Sequence, residues 1–108
     1  MSVKEITRAG LSEALLSKSP PIVFEALDRK YYDNGHIPTA RVLPPAEVDR
    51  VPTFLADRDQ AIVLYCASAT CQNSHQAAAR LAQEGYCNVS VYVGGKADWV
   101  DAGLRLEK

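Results

Sequence analysis

The sequence predicts a three-layer α/β domain with a mainly parallel central sheet. Strand-length apolar runs, "PIVFEAL", "AIVLY" and "NVSVYV", alternate with stretches of helical spacing. The run "AIVLY" is apolar at every position, which marks a strand covered on both faces. At 108 residues the chain holds one core and is too short for two, so residues 1–108 read as one domain.

Element by element, "VKEIT" alternates as a short strand, and "RAGLSEALLSKSPP" sets Leu11, Leu15 and Ala14 on one helical face before Pro20 and Pro21 stop it. "PIVFEAL" is the second strand. "DRKYYDNGHIPTA" is rich in turn residues, with Asn34-Gly35 as a tight turn and Pro38 holding the chain extended, and reads as an ordered loop leading to a short strand "ARVL". Between Pro44 and Gln60, Pro45 suits a helix start and Val48, Val51, Phe54 and Leu55 are interrupted by Pro52, which predicts one or two short helices. After "AIVLY", Ser74 is placed to cap a helix carrying Ala77, Ala78, Leu81 and Ala82 until Gly85 ends it. "NVSVYV" is the next strand, Gly94-Gly95 turns into a short helix ending near Gly103, and "LRLE" is expected to close the sheet.

Composition narrows the function classes. Hydrophobic residues make up 47% and charged residues 23%, ordinary values for a globular protein, and no repeat or low-complexity tract is present. The formal net charge is -1 and the Lys and Arg are scattered, so there is no basic stripe to neutralise nucleic-acid phosphates. The longest apolar run, "AIVLYCA", falls far short of the roughly 20 residues that cross a bilayer, and "MSVKEITRAG" has no signal-peptide core. The expectation is a soluble cytoplasmic protein with no membrane partner. Three cysteines, an odd number without paired metal-ligand spacing, disfavour both a disulfide framework and a zinc knuckle.

The chemistry concentrates in "YCASATCQNSH", Tyr65 to His75. Cys66 falls at the carboxyl end of a central strand, followed by a loop opening onto a helix, the place where open α/β sheets bind ligands. Loop N–H groups and the helix start present partial positive charge that stabilises a thiolate or an anionic substrate. Cys66 is therefore either an activated nucleophile or a thiol filling space at a strand end. Cys87, between the Gly85 stop and the next strand, reads as structural or incidental.

"GHIPTA" resembles the GHIPGA segment of the rhodanese-like domains, and "IVLYC" resembles their strand ending in the active cysteine. "SHQAAARLAQEGYCNVSVYVGGKADWVDAGLRLE" is similar to their helix, strand, Gly-Gly turn, tryptophan and final Ala-Gly segment, so the resemblance spans nearly the whole chain. It implies a doubly wound, rhodanese-like α/β fold in which Cys66 accepts a sulfane sulfur as a persulfide and passes it to a thiophilic acceptor. It further implies that the loop, Ala67, Ser68, Ala69, Thr70, Gln72, Asn73 and Ser74, cradles the persulfide with its amides. Two departures stand out. Seven residues separate Cys66 from Ser74, more than is usual in the family, and none is Gly or Arg. The family's Asp-x-Arg after the second strand is replaced by Glu25, Ala26 and Leu27, with Asp28-Arg29 as a nearby substitute.

His36 fits a loop-fastening hydrogen bond better than a general base, and His75 fits an exposed helix position better than a partner for a thiolate. Trp99 and the Gly94-Gly95 turn read as packing and backbone features, Lys96 and Arg41 as solvated charges, and Tyr31 and Tyr32 as cover for their loop. A metal site from Cys66, Cys71 and His75 matches no established zinc spacing. Phosphatase and arsenate-reductase relatives clamp an oxyanion with an arginine that residues 67–73 lack.

The resulting expectation is a sulfurtransferase or persulfide carrier that needs no cofactor. It would move sulfur from a donor such as thiosulfate or a protein persulfide to a thiol acceptor through Cys66, with Cys71 as a resolving or secondary thiol. Two rivals remain: a non-catalytic binding or regulatory module of the same fold, and a Cys66/Cys71 dithiol redox protein.

Overall fold

The computed structural model describes residues 3–108. Five strands form one parallel sheet in the order β1-β5-β4-β2-β3, with β1 Lys4–Ile6, β2 Ile22–Glu25, β3 Arg41–Val42, β4 Ile62–Tyr65 and β5 Val89–Tyr92. The helices are α1 Arg8–Leu15, α2 Arg29–Asp33, α3 Val51–Phe54, α4 Asn73–Gln83 and α5 Gly95–Asp101, and a 3-10 helix over Pro45–Arg50 leads into α3.

Strand periodicity builds the two faces. Successive side chains point to opposite sides, so Phe24, Ile62, Leu64, Val89 and Val91 pack against Ala77, Ala78 and Leu81 of α4 and Val48 and Val51 of the short helices. Val23, Val63, Tyr65 and Tyr92 face the other way, onto Leu11 of α1 and Trp99 of α5. Every residue of β4 is buried, as its unbroken apolar run requires. Each large apolar side chain withdrawn from water in these layers contributes roughly 1.5–3 kcal/mol.

Three local expectations are corrected. The segment expected as a loop after Leu27 contains α2, because Tyr31 and Tyr32 donate their N–H groups back to Asp28 O and the turn continues to Asn34. The "LRLE" segment does not join the sheet: Glu107 instead exchanges two 2.8 Å backbone hydrogen bonds with His36 in an isolated antiparallel bridge. Ser74 does not cap α4, which begins at Asn73 after Gln72, with no side-chain cap at all.

Candidate active site

Parallel pairing in register brings the ends of β2 and β4 together, with Glu25 opposite Tyr65. Cys66 follows at the carboxyl end of β4 and is 1% exposed. Its thiol donates to Cys71 O at 3.4 Å, and its Sγ lies 3.4 Å from Ser74 Oγ. The loop between them is curled: Cys71 N–H donates to Ser68 O at 3.2 Å, and the Ser68 and Thr70 hydroxyls meet at 3.1 Å. Asn73 ties its far arm to Ala26 O at 3.2 Å. Ala67, Ala69, Thr70 and Gln72 are exposed on the rim.

The helix α5 clamps the near arm. Lys96 N–H donates to Cys66 O and Ala97 N–H to Ala67 O, both at 2.9 Å. This approach needs a glycine at the start of α5. Gly95 has φ 69°, and a Cβ there would stand 2.5 Å from Cys66 O.

Two influences compete at the Cys66 thiol. Burial, followed by the contact with Cys71, pushes its pKa above the ordinary thiol value, while the hydroxyl and backbone N–H of Ser74 pull it down. Burial is the larger of the two influences. With α4 uncapped by any side chain, its first-turn N–H groups have no intrahelical partners and open toward the loop.

A buried polar network supports the floor of the site. Glu25 is 0% exposed, and its Oε1 accepts from Tyr65 OH at 2.7 Å and from Lys96 Nζ at 3.0 Å. Tyr65 OH accepts from Ile37 N–H at 3.0 Å, and Lys96 Nζ also donates to Tyr31 O at 3.0 Å. Glu25 Oε2 has no partner among the described residues. Burial and the Glu25 carboxylate together drive the Tyr65 phenol far above its ordinary pKa. Lys96 is thus the half-buried partner of a buried carboxylate, contrary to its reading as a solvated charge. Asp28-Arg29 does not substitute for the family's pair: among the described residues Arg29 pairs with Asp33, at 3.9 Å on the exposed surface. The available signal was "IVFEA", where a carboxylate inside an apolar run demands a cation from elsewhere in the chain.

The remaining candidates are dispersed. His36 is buried, stacks on Tyr32 at 4.0 Å between ring centroids, and its Nδ1 lies 3.3 Å from Tyr32 O, a loop-fastening position. His75 is half-buried in the first turn of α4, Arg41 and Tyr31 are exposed, and Trp99 is buried with its Nε1 donating to Arg105 O. Cys87 is exposed at the opposite end of the sheet. All three cysteines are free thiols. Among the described residues no group of three or more His, Cys, Asp or Glu comes together that could hold a metal ion, and no helix is long and apolar enough to cross a membrane.

Comparison with known proteins agrees with this architecture. The rhodanese-like domain family matches residues 9–102. A protein of Allochromatium vinosum named a sulfurtransferase is 31% identical over 96% of this chain and 94% of its own. A solved protein of Bacillus halodurans superposes with a TM-score of 0.86 at 28% identity, over 96% of this chain and 76% of that one. The human single-domain sulfurtransferase shares the fold, with a TM-score of 0.80 at 19% identity over 93% of this chain and 97% of its own. On the extent of these matches, the chain belongs to the rhodanese-like domain family.

Proposed function

We propose that the protein is a sulfurtransferase that carries a sulfane sulfur on Cys66. The observation that supports this most directly is the position of Cys66, at the end of β4 beneath a curled loop that adjoins an uncapped helix N-terminus. The relative named a sulfurtransferase supports the same reading.

The Cys66 thiolate attacks the outer sulfur of a donor such as thiosulfate or a protein persulfide. The donor's S–S bond breaks, and sulfite or the donor thiolate leaves. The anionic persulfide is then held by N–H groups of Ala67, Ser68, Ala69, Thr70, Gln72, Asn73 and Ser74. An acceptor thiolate attacks the outer sulfur and Cys66 departs as thiolate. Because Cys66 begins buried, with its thiol on Cys71 O, the loop must move before the donor can arrive. No Lys or Arg occurs in residues 67–73, and Lys96 is held by Glu25. Thiosulfate should therefore bind weakly and with strong salt sensitivity, and a protein persulfide docking through more surface should serve better.

Mass spectrometry of the intact protein after exposure to thiosulfate or a persulfide donor tests this reading. One added sulfur atom, mapped to Cys66 and lost in Cys66→Ser, is the expected result. Sulfur transfer that survives Cys66→Ser would refute it. The near-complete burial of Cys66 favours a second reading, a binding module of this fold. That reading requires wild type to take up sulfur from no donor and Cys66→Ser to keep full partner binding.

A further inference from the structure

We infer that Cys71 is a resolving thiol that converts the Cys66 persulfide into sulfide and a Cys66–Cys71 disulfide, an activity additional to transfer onto an external acceptor. The inference rests on the persulfide reading of Cys66. Its own support is the fold of the loop. Residues 68–71 turn back through the Cys71 N–H to Ser68 O bond, so that the carbonyl of Cys71 accepts the Cys66 thiol at 3.4 Å. A carbonyl oxygen lies about 2.4 Å from its own Cα, so Cys71 Cα is within about 6 Å of Cys66 Sγ. Closing a disulfide from there requires a shift on the order of 2 Å within a loop that already has to move to admit a donor. Cys71 is half-buried, reachable from solvent and facing no competing cysteine, since Cys87 lies at the far end of the sheet.

The step balances without an added oxidant. The Cys71 thiolate attacks Cys66 Sγ, the bond from Sγ to the outer sulfur breaks, and that sulfur leaves as hydrosulfide, taking up the proton that Cys71 released. The outer sulfur is reduced while Cys71 Sγ is oxidised into the new disulfide. A dithiol reductant then exchanges with the disulfide and restores both thiols. Attack on the outer sulfur instead would expel the Cys66 thiolate. That course moves the sulfur onto Cys71 and closes no disulfide, so the linked peptide distinguishes the two.

The test loads the protein with a persulfide donor, removes the donor, and follows three quantities without reductant: the sulfur adduct on Cys66, released sulfide, and the linked Cys66–Cys71 peptide in a non-reducing digest. Wild type should lose the adduct with stoichiometric sulfide and gain the linked peptide. Cys71→Ser and Cys71→Ala keep the Cys71 carbonyl but remove the thiol, and both should hold the adduct at least about tenfold longer. An adduct on Cys66 that decays equally slowly in all three proteins, with no linked peptide, overturns the resolving role and leaves the persulfide reading standing. No adduct on Cys66 in any of them overturns both.

Discussion

The two ends of the sheet each hold a cysteine whose pKa is raised, for opposite reasons. At the carboxyl end, Cys66 is raised first by burial, and its surroundings are an uncharged loop and an uncapped helix start. At the amino end, Cys87 is fully exposed and is raised first by its hydrogen bond to the Asp59 carboxylate, 2.9 Å away. Cys87 also donates to Arg58 O at 3.3 Å, and the Arg58 side chain spends its donors on Glu84 O, Leu55 O, Ala56 O and Tyr86 OH. Exposure therefore does not predict which thiol can do chemistry. Under the persulfide role proposed above, an anion formed at Cys66 would meet N–H dipoles, whereas one formed at Cys87 meets the Asp59 carboxylate. Positive φ occurs at both ends, at Gly95 (69°) and at Thr39 (73°) in the segment whose Ile37 binds Tyr65, and at Gly85 (100°) two residues before Cys87.

The largest expected break in this contrast comes from Lys96→Met. It leaves the Glu25 carboxylate buried without a cation, and removing one member of a buried pair costs about 3–5 kcal/mol. Denaturant unfolding should show this loss, and Glu25→Gln in the same protein should recover most of it. A loss below about 1 kcal/mol, as for a surface pair, would return Lys96 to the solvated surface. Next in size is Gly95→Ala, where the left-handed backbone alone costs roughly 1–2 kcal/mol and the new Cβ strikes Cys66 O. Stability and sulfur uptake at Cys66 should fall together. Full uptake in a destabilised Gly95→Ala would uncouple the clamp from the thiol.

Alkaline pH combined with Cys66→Ala isolates the share of the carboxyl end, since the folded pKa of Cys87 is raised as well. The Cys66 and Tyr65 groups have folded pKa values raised above their unfolded ones, so the native state retains protons that the unfolded chain has lost. Their stabilisation is complete below the unfolded values and is lost as pH climbs through the folded ones. Stability should therefore decline above about pH 8.5, where an unfolded thiol ionises. Cys66→Ala should blunt the onset of that decline. An onset unchanged in Cys66→Ala would count against burial as the dominant influence on the thiol.

A smaller effect sharpens the comparison from the strained side. Thr39 is β-branched, yet it holds a φ that glycine adopts freely, in the segment similar to the family's GHIPGA. Thr39→Gly should relieve about 1–2 kcal/mol of backbone strain and give back about 0.5–1 kcal/mol to the freer unfolded chain. The net gain should be about 0.5–1 kcal/mol in denaturant unfolding. A loss would show that the Thr39 side chain contributes more than its backbone costs.

What could be read from the sequence follows the range of each interaction. The strands β4 and β5 and the helix α4 were legible because burial on both faces or along one stripe is written into consecutive residues. The position of Cys66 was legible for the same reason, as the residue after an unbroken apolar strand. Ser74 was misread as a cap because its local preference for a helix start is real, whereas its buried place against Cys66 depends on how the loop curls. Lys96 was misread because its partner lies 71 positions away, on the strand β2, and a lone lysine after two glycines looks like any solvated charge. The bond from Trp99 Nε1 to Arg105 O and the bridge between His36 and Glu107 likewise come from the meeting of distant or non-periodic segments.

The smallest expected effect isolates the reason Cys87 is quiet. Its S–H donates to Asp59, and ionisation would both break that bond and set two negative charges side by side. Asp59→Asn removes the charge and keeps a neighbour of similar size, so the Cys87 pKa should fall toward the ordinary thiol value. Access to solvent is already complete, and the reacting species in alkylation is the thiolate. Iodoacetamide labelling of Cys87 near neutral pH should therefore speed up a few-fold in Asp59→Asn, while sulfur uptake at Cys66 stays at the wild-type level because the substitution lies at the other end of the sheet. Labelling that stays unchanged would mean the carboxylate does not control this thiol. A change in uptake at Cys66 would mean the two ends are not independent.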